Sequence, residues 1–167
     1  LYHWRVTEGS TAASADHKKY SSIAGLKAIK DYLSEHFPNA DTEHGLAPNS
    51  YHVLWPLPDP APLVSLLIPT RDHHEILEKC VTSILENTEY PNFELVLLNN
   101  QTTCPKALWF LEKVAQDKRV SVHLWDHPFN YSAINNFGAS LAQGEILGLV
   151  NNDVEPINPD WLEQMVR

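Results

Sequence analysis

Three polar segments that follow apolar runs could bind a charged ligand. They offer hydroxyl, guanidinium, amide and carboxylate groups, and they occupy residues 69–72 (Pro-Thr-Arg-Asp), 99–102 (Asn-Asn-Gln-Thr) and 151–155 (Asn-Asn-Asp-Val-Glu). Each segment taken alone is explained equally well as a turn or a helix cap, because Asn and Asp favour those positions. Their shared placement after apolar runs favours a binding site.

The last of these segments contains two carboxylates, Asp153 and Glu155, that suit a hard divalent cation. Such a cation is typically held by one or two carboxylates together with the phosphates of a substrate. A metal bound in this way could neutralise a departing diphosphate. We therefore expect Asp153 and Glu155 to ligate Mg²⁺ or Mn²⁺.

The elements that must position these segments alternate between strands and helices. An apolar run at residues 63–68 predicts a buried strand, and residues 93–98 and 145–150 predict two further strands. Apolar residues at helical spacing predict helices that begin near Ile76 and Ala107. This alternation is typical of an α/β fold with a mostly parallel sheet and helices on both faces. Ligands of such sheets bind beyond the carboxyl ends of the strands. The loops expected to form the site are residues 69–74, 99–105, 126–130 and 151–158.

Residues 1–62 have a different pattern, which we interpret as an interdomain segment. Residues 1–20 carry no sustained period, residues 21–36 have apolar side chains at helical spacing, and residues 51–55 alternate as in a strand. Prolines at positions 56, 58, 60 and 62 then hold the chain extended. We expect residues 1–62 to contain one helix and a proline-rich linker, and residues 63–167 to form the domain that carries the site.

Composition and charge exclude several functional classes. Twelve Lys and Arg against 21 Asp and Glu give a net charge of −9, which opposes binding to a nucleic-acid backbone. No apolar run approaches the roughly 20 residues that span a bilayer. We therefore expect no transmembrane segment and a cytoplasmic protein, at most peripheral at the inner face of the membrane. The glycines lack the spacing of a dinucleotide or P-loop site, which disfavours dehydrogenases and P-loop ATPases.

Other residue types suggest weaker alternatives. The neighbouring histidines His73 and His74 cannot easily converge on one metal ion, which disfavours a zinc site. Cys80 lies on the apolar side of a predicted helix and is expected in the core rather than as a nucleophile. Five scattered tryptophans are more typical of packing than of sugar stacking, but they leave open a noncatalytic carbohydrate-binding or scaffolding module.

Four segments, taken in order, resemble the family two glycosyltransferases. They are residues 64–72, 90–100, 129–138 and 144–153, and the resemblance covers residues 63–167. The sequences of residues 129–136 (Phe-Asn-Tyr-Ser-Ala-Ile-Asn-Asn) and 151–155 are most similar to those of bacterial enzymes of O-antigen and surface-polysaccharide assembly, including rhamnosyltransferases. Each motif alone is weak, and the set is specific.

The resemblance implies a GT-A (Rossmann-like) fold, of which this chain is the nucleotide-sugar-binding half, truncated at its C-terminus. It implies inverting transfer, in the intact enzyme, from a nucleotide-diphosphate sugar to a glycan or lipid-linked glycan acceptor. Asn152 and Asp153 take the last two places of the family's DxD-like motif. Asn99 takes a place where an Asp often reads the base, and Asn135 a place where an Arg often approaches the diphosphate. The expected binding residues are Pro69, Thr70, Arg71, Asp72, Asn99, Asn100, Asn135, Asn152 and Asp153.

The resemblance does not assign a catalytic residue within this sequence. The general base of the family is typically a carboxylate downstream of the DxD-like motif, in the acceptor half. We therefore expect the base to lie beyond Arg167, and we expect residues 1–167 alone to be inactive in transfer.

Overall fold

The structure, a computed structural model, describes residues 19–167. The described residues divide into two compact units, of which the first contains residues 19–56 and Arg167 and the second contains residues 57–166. The irregular structure predicted for residues 1–20 therefore lies almost wholly outside the described residues. No helix among residues 19–167 is both long enough and apolar enough to cross a membrane.

The first unit contains one helix and one β-hairpin. Its elements are α1 (Lys19–His36), β1 (Asp41–His44) and β2 (Tyr51–Leu54). The two strands pair antiparallel, and the Tyr51 hydroxyl donates a hydrogen bond to the Ser22 carbonyl oxygen at 3.0 Å. The sequence pattern predicts the helix and the second strand, but it misses β1, because Asp-Thr-Glu-His has no apolar alternation.

The second unit is an α/β layer structure that confirms the predicted fold class. Its strands are β3 (Val64–Thr70), β4 (Phe93–Asn99), β5 (Val120–Leu124) and β6 (Ile146–Leu149). Its helices are α2 (His74–Glu86), α3 (Pro105–Val114), α4 (Tyr131–Leu141) and α5 (Trp161–Val166). All neighbouring strands are parallel, in the order β5-β4-β3-β6.

The helices cover both faces of this sheet because successive side chains of a strand point to opposite faces. Val64, Leu66 and Ile68 of β3 belong to the core that also contains buried residues of α2, α3 and α5. Leu67 belongs to a second core, on the other face, with Ile134 of α4. Continuous apolar runs in β3 and β4 are thus explained by burial on both faces.

The strand order creates a switch point beside β3. The chain builds β3, β4 and β5 in one direction across the sheet and then returns to place β6 on the other side of β3. In open α/β sheets, ligands bind at such a point, in the crevice beyond the carboxyl ends of the strands. The loops that follow β3 and β6 therefore border the expected site.

The beginning of the last helix differs from the prediction. Asn and Pro favour the N-cap and the first turn of a helix, so the sequence predicts a helix capped by Asn158 with Pro159 in its first turn, but α5 begins at Trp161. The Trp161 backbone N–H donates to the Asn158 carbonyl oxygen at 3.3 Å, so residues 158–160 form a turn ahead of the helix. Proline fits that turn as readily as a first helical turn.

Candidate functional site

A cleft of about 290 Å³ lies at the switch point, beyond the carboxyl ends of β3 and β6. It is lined by six of the residues that the sequence predicts for the site: Pro69, Thr70, Arg71, Asn100, Asn152 and Asp153. The three polar segments therefore meet in one place.

Thr70, the last residue of β3, joins the strand ends that form the cleft. Its side chain is buried, and its carbonyl oxygen accepts a hydrogen bond from the Asn100 backbone N–H at 2.8 Å. Its hydroxyl oxygen accepts a hydrogen bond from the Asn152 side-chain amide at 3.3 Å. One residue thus sets the relative position of the segments after β4 and β6.

Asn100 presents an acceptor that is fixed in orientation. Its side-chain NH₂ donates to the carbonyl oxygens of Trp125 at 3.4 Å and His127 at 3.0 Å. Because carbonyls only accept, these bonds decide which end of the amide is nitrogen. The Asn100 Oδ1 is buried and has no partner among the described residues. An unsatisfied buried acceptor costs about 1–3 kcal/mol, which a ligand N–H or O–H would offset.

Asp153 and Glu155 have different surroundings. Asp153 is exposed and lines the cleft, whereas the Glu155 carboxylate pairs with the Lys79 ammonium of α2 at 2.7 Å. Residues 19–167 contain no group of three or more His, Cys, Asp and Glu side chains placed to hold a metal ion.

The carboxylate of Asp72 is occupied within the protein. Asp72 does not line the cleft, and its Oδ1 accepts hydrogen bonds from the backbone N–H groups of Thr103 at 2.7 Å and Cys104 at 2.8 Å. The bond from Cys104, followed by that from Thr103, makes the largest contribution to holding the pKa of Asp72 below its usual value.

Asn99 and Asn135 also lie outside the cleft lining. The Asn99 Oδ1 accepts the backbone N–H of Thr102 at 3.0 Å, which closes a local turn after β4. The side-chain amide of Asn135 donates to the Tyr131 carbonyl oxygen at 2.8 Å, one helical turn earlier in α4. Both side chains therefore stabilise the elements that surround the cleft.

Four lining residues were not in the predicted set: His73, Phe129, Tyr131 and Asn151. Phe129 and Tyr131 are large aromatic side chains that remain 62% and 45% exposed. They flank Asn130, whose side chain caps α4 by accepting the Ala133 backbone N–H at 3.0 Å. Position is the signal that could have found these two aromatic residues. Phe129 lies within the loop predicted at residues 126–130, and Tyr131 immediately follows that loop.

Cys80 packs in the core, as predicted, and supports the loop after β6. Its side chain is buried, and its thiol donates to the Asn151 carbonyl oxygen at 3.6 Å. Burial raises the pKa of the Cys80 thiol to about 11, so the thiol is neutral at physiological pH. It is therefore a poor nucleophile.

A second, larger groove of about 740 Å³ runs along β6. Its lining is mainly apolar and includes Ile146, Leu149 and Met165, all of which are exposed. The groove lacks the convergent polar groups that orient a charged ligand. The small polar cleft, and not this groove, matches the chemistry predicted from the sequence.

Comparison with known proteins agrees with the resemblance seen in the sequence. The profile of the family described as "Glycosyl transferase family 2" matches residues 65–167. The "Uncharacterized protein y4gI" of Sinorhizobium fredii (strain NBRC 101917 / NGR234) is 45% identical over 168 residues, which cover 99% of this chain and 18% of the relative. The "O-antigen biosynthesis protein RfbC" of Myxococcus xanthus is 36% identical over 166 residues, 99% of this chain and 13% of the relative. The chain thus spans less than a fifth of either relative.

Solved structures share the fold. A mannosyltransferase, PcManGT from Pyrobaculum calidifontis, in complex with GDP-Man and Mn²⁺, superposes with a TM-score of 0.59 at 17% identity, over 91% of this chain and 42% of its own. Residues 1–349 of S. aureus TarS superpose with a TM-score of 0.54 at 22% identity, over 61% of this chain and 30% of that one. These likenesses confirm the predicted GT-A-like architecture.

Proposed function

This chain belongs to glycosyl transferase family 2, and from that premise we propose that its cleft at the β3–β6 switch point binds a nucleotide-diphosphate sugar. The observation that carries the proposal is the convergence of polar groups from three strand ends, among them the Asn100 Oδ1, which has no partner within residues 19–167. Complexes of two structural relatives are consistent with this ligand class, since PcManGT holds GDP-Man and TarS holds UDP-GlcNAc.

For the base, we propose a contact with Asn100. Its Oδ1 is a fixed acceptor, so it favours bases that present a ring N–H donor, namely uracil, thymine and guanine. Cytosine and adenine are disfavoured because their corresponding ring nitrogen is an acceptor. Asn99 supports this contact indirectly by closing the turn at Thr102. Within the first group of bases we expect little selectivity, because the same acceptor serves all three.

For the diphosphate, we propose two charged contacts. Asp153 would hold a divalent cation, with Asn152 beside it, and the bound cation would neutralise the departing diphosphate. Arg71 would supply a guanidinium, since its side chain is 56% exposed and its nearest carboxylate oxygen, on Asp72, is 3.9 Å away. A metal is needed because a net charge of −9 opposes an unaccompanied diphosphate.

For the intact polypeptide, we propose inverting sugar transfer to a surface-polysaccharide or lipid-linked glycan acceptor in the cytoplasm. Support for the acceptor class comes from the 36% identity with the O-antigen biosynthesis protein of Myxococcus xanthus. The proposed general base lies in sequence beyond Arg167, in an acceptor half. A noncatalytic carbohydrate-binding module is less well supported, because none of the described tryptophans lines the cleft.

Calorimetry tests the donor site. UDP and GDP are titrated into the protein with Mn²⁺ and with EDTA, and CDP and ADP serve as the disfavoured bases. We expect binding only with the metal. Asp153→Asn should lower the affinity measured with Mn²⁺ to the level seen in EDTA, whereas the matched control Glu155→Gln should bind as the wild type does, because Glu155 is paired with Lys79. Equal affinity in EDTA would refute the metal assignment, and no binding under any condition would refute the donor site itself.

A further inference from the structure

Asp72 replaces a missing local cap at the beginning of α3. The N-cap residue of that helix, Cys104, makes no side-chain capping bond, and Pro105 follows it without a backbone donor. The Asp72 Oδ1 accepts the N–H groups of Thr103 and Cys104, the two residues just ahead of the helix. A carboxylate near a helix N-terminus is also favoured by the helix dipole.

The same residue joins two loops in both directions. In addition to accepting two backbone bonds, Asp72 donates its own backbone N–H to the Thr102 hydroxyl at 3.2 Å. These bonds connect the β3–α2 loop with the β4–α3 loop, which lie about thirty residues apart in sequence. They form a staple between neighbouring strand ends.

Both stapled loops hold backbone conformations that L-residues rarely adopt. Asp72 and His73 have φ values of 53° and 42°, and Gln101 in the other loop has a φ of 55°. Non-glycine residues remain in this region only where the surrounding structure fixes them. The hydrogen bonds that the Asp72 Oδ1 accepts from the Thr103 and Cys104 backbone N–H groups supply that constraint at the point where the two loops meet.

The stapled loops carry the proposed donor contacts. Arg71 precedes Asp72 directly, and Asn100 precedes Gln101, and both of these neighbours line the cleft while Asp72 does not. We propose that Asp72 is a positioning residue that holds Arg71 and Asn100 at the spacing of a nucleoside diphosphate without touching the ligand. This inference rests on the proposed function of the cleft.

Two conservative variants separate geometry from charge. Asp72→Asn keeps an oxygen at the same place and loses the charge, whereas Asp72→Glu keeps the charge and moves the oxygens by one methylene. A positioning role predicts that the Asp72→Asn variant retains nucleotide affinity within about threefold, since Asn and Asp are equivalent caps. It predicts that Asp72→Glu, and also Asp72→Ala, each lose about tenfold or more through displaced contacts. A direct charge contact with the ligand predicts the reverse order.

The affinities of UDP, 2′-deoxy-UDP and GDP are measured with Mn²⁺, together with amide hydrogen exchange of Thr103 and Cys104 in the absence of ligand. Asp117→Ala is the control, because the Asp117 carboxylate also accepts a backbone N–H, from Arg119 at 2.9 Å, but does not line the cleft. We expect Asp72→Ala and Asp72→Glu to lose the same factor for all three ligands and to exchange both amides faster, while Asp72→Asn and the control behave as wild type.

A loss for UDP and GDP that spares 2′-deoxy-UDP would show that Asp72 touches the 2′-hydroxyl group and would overturn the inference. So would unchanged affinity in Asp72→Glu, or unchanged exchange of the two amides in the weakened variants. If the wild type binds none of the three nucleotides, the proposed function fails and the inference fails with it. Wild-type binding with an unaffected Asp72→Glu variant overturns the positioning role alone.

Discussion

Two adjacent asparagines should differ sharply in how much stability they lose on the same isosteric substitution. Asn100→Asp replaces an NH₂ that donates to the Trp125 and His127 carbonyl oxygens by an oxygen that faces them. Asn99→Asp preserves the side-chain hydrogen bond of Asn99, whose Oδ1 accepts the Thr102 backbone N–H. The pair therefore tests the orientation of the Asn100 amide, on which the proposed base contact depends.

The magnitude follows from the two bonds that Asn100 loses. The bond at 3.0 Å is well formed and the one at 3.4 Å is weak, and a buried group left without its partner costs about 1–3 kcal/mol. Adding the cost of placing a carboxylate at a side chain that is 1% exposed, we expect Asn100→Asp to destabilise the protein by about 3 kcal/mol at pH 7. Asn99→Asp should change stability by less than about 0.5 kcal/mol.

The pH dependence gives a second readout. Burial beside two carbonyls should raise the pKa of the new carboxyl above its unfolded value of about 3.9. The unfolded chain then releases its proton at lower pH than the folded protein does, so the penalty grows as pH rises from the unfolded to the folded pKa. It should be smallest below about pH 4, where the protonated acid can still donate one bond.

Urea denaturation of both variants across pH 4–8 measures these effects, with the slope of the transition checked for constancy. If Asn100→Asp left the free energy of unfolding unchanged, or if the two substitutions destabilised the protein equally, the Asn100 amide would not be oriented as described. The base contact proposed for its Oδ1 would then lose its support.

Three further predictions concern other parts of the chain. Gly144→Ala should cost about 1–3 kcal/mol in urea denaturation, because a Cβ would lie 2.6 Å from the Leu63 carbonyl oxygen and 2.7 Å from the Ser65 backbone nitrogen; an unchanged stability would contradict this crowding. Iodoacetamide at pH 8 should modify Cys104 and spare Cys80, since burial raises the pKa of Cys80 to about 11; equal labelling of the folded protein by mass spectrometry would contradict it. Residues 1–167 alone should hold the donor without detectable transfer, because loss of a general base costs about 10²–10⁴ in rate; transfer matching that of a form extended by the natural downstream sequence would place the base within this chain.

The sequence predicted the positions of the site-forming loops well, because they depend on local pattern. The apolar runs at residues 63–68 and 93–98 are buried on both faces of the sheet, so they stand out from their polar ends. Those ends, residues 69–72 and 99–102, contain the last residues of β3 and β4 and the beginning of the loops that follow them. The hairpin strand β1 escaped detection because its four residues have no apolar alternation.

The partners of individual polar side chains could not be predicted, because they are set by tertiary contacts. The Asp72 carboxylate accepts hydrogen bonds from backbone N–H groups about thirty residues later in the sequence. The Glu155 carboxylate pairs with Lys79 of α2, which lies far earlier in the sequence. Asn99 and Asn100 are identical in sequence terms, yet one closes a turn and the other lines the cleft. No local spacing distinguishes these outcomes.

Paramagnetic broadening by Mn²⁺ in the presence of UDP or GDP tests the central claim most directly. A ¹⁵N-labelled sample is titrated with substoichiometric Mn²⁺, with and without nucleotide, and broadening is mapped by residue. We predict nucleotide-dependent broadening centred on Asp153 and extending to Asn152 and Thr70, whose side chains are joined at 3.3 Å. Broadening centred on residues of α2 that do not line the cleft, or broadening that does not change when nucleotide is added, would contradict a metal-assisted donor site in this cleft.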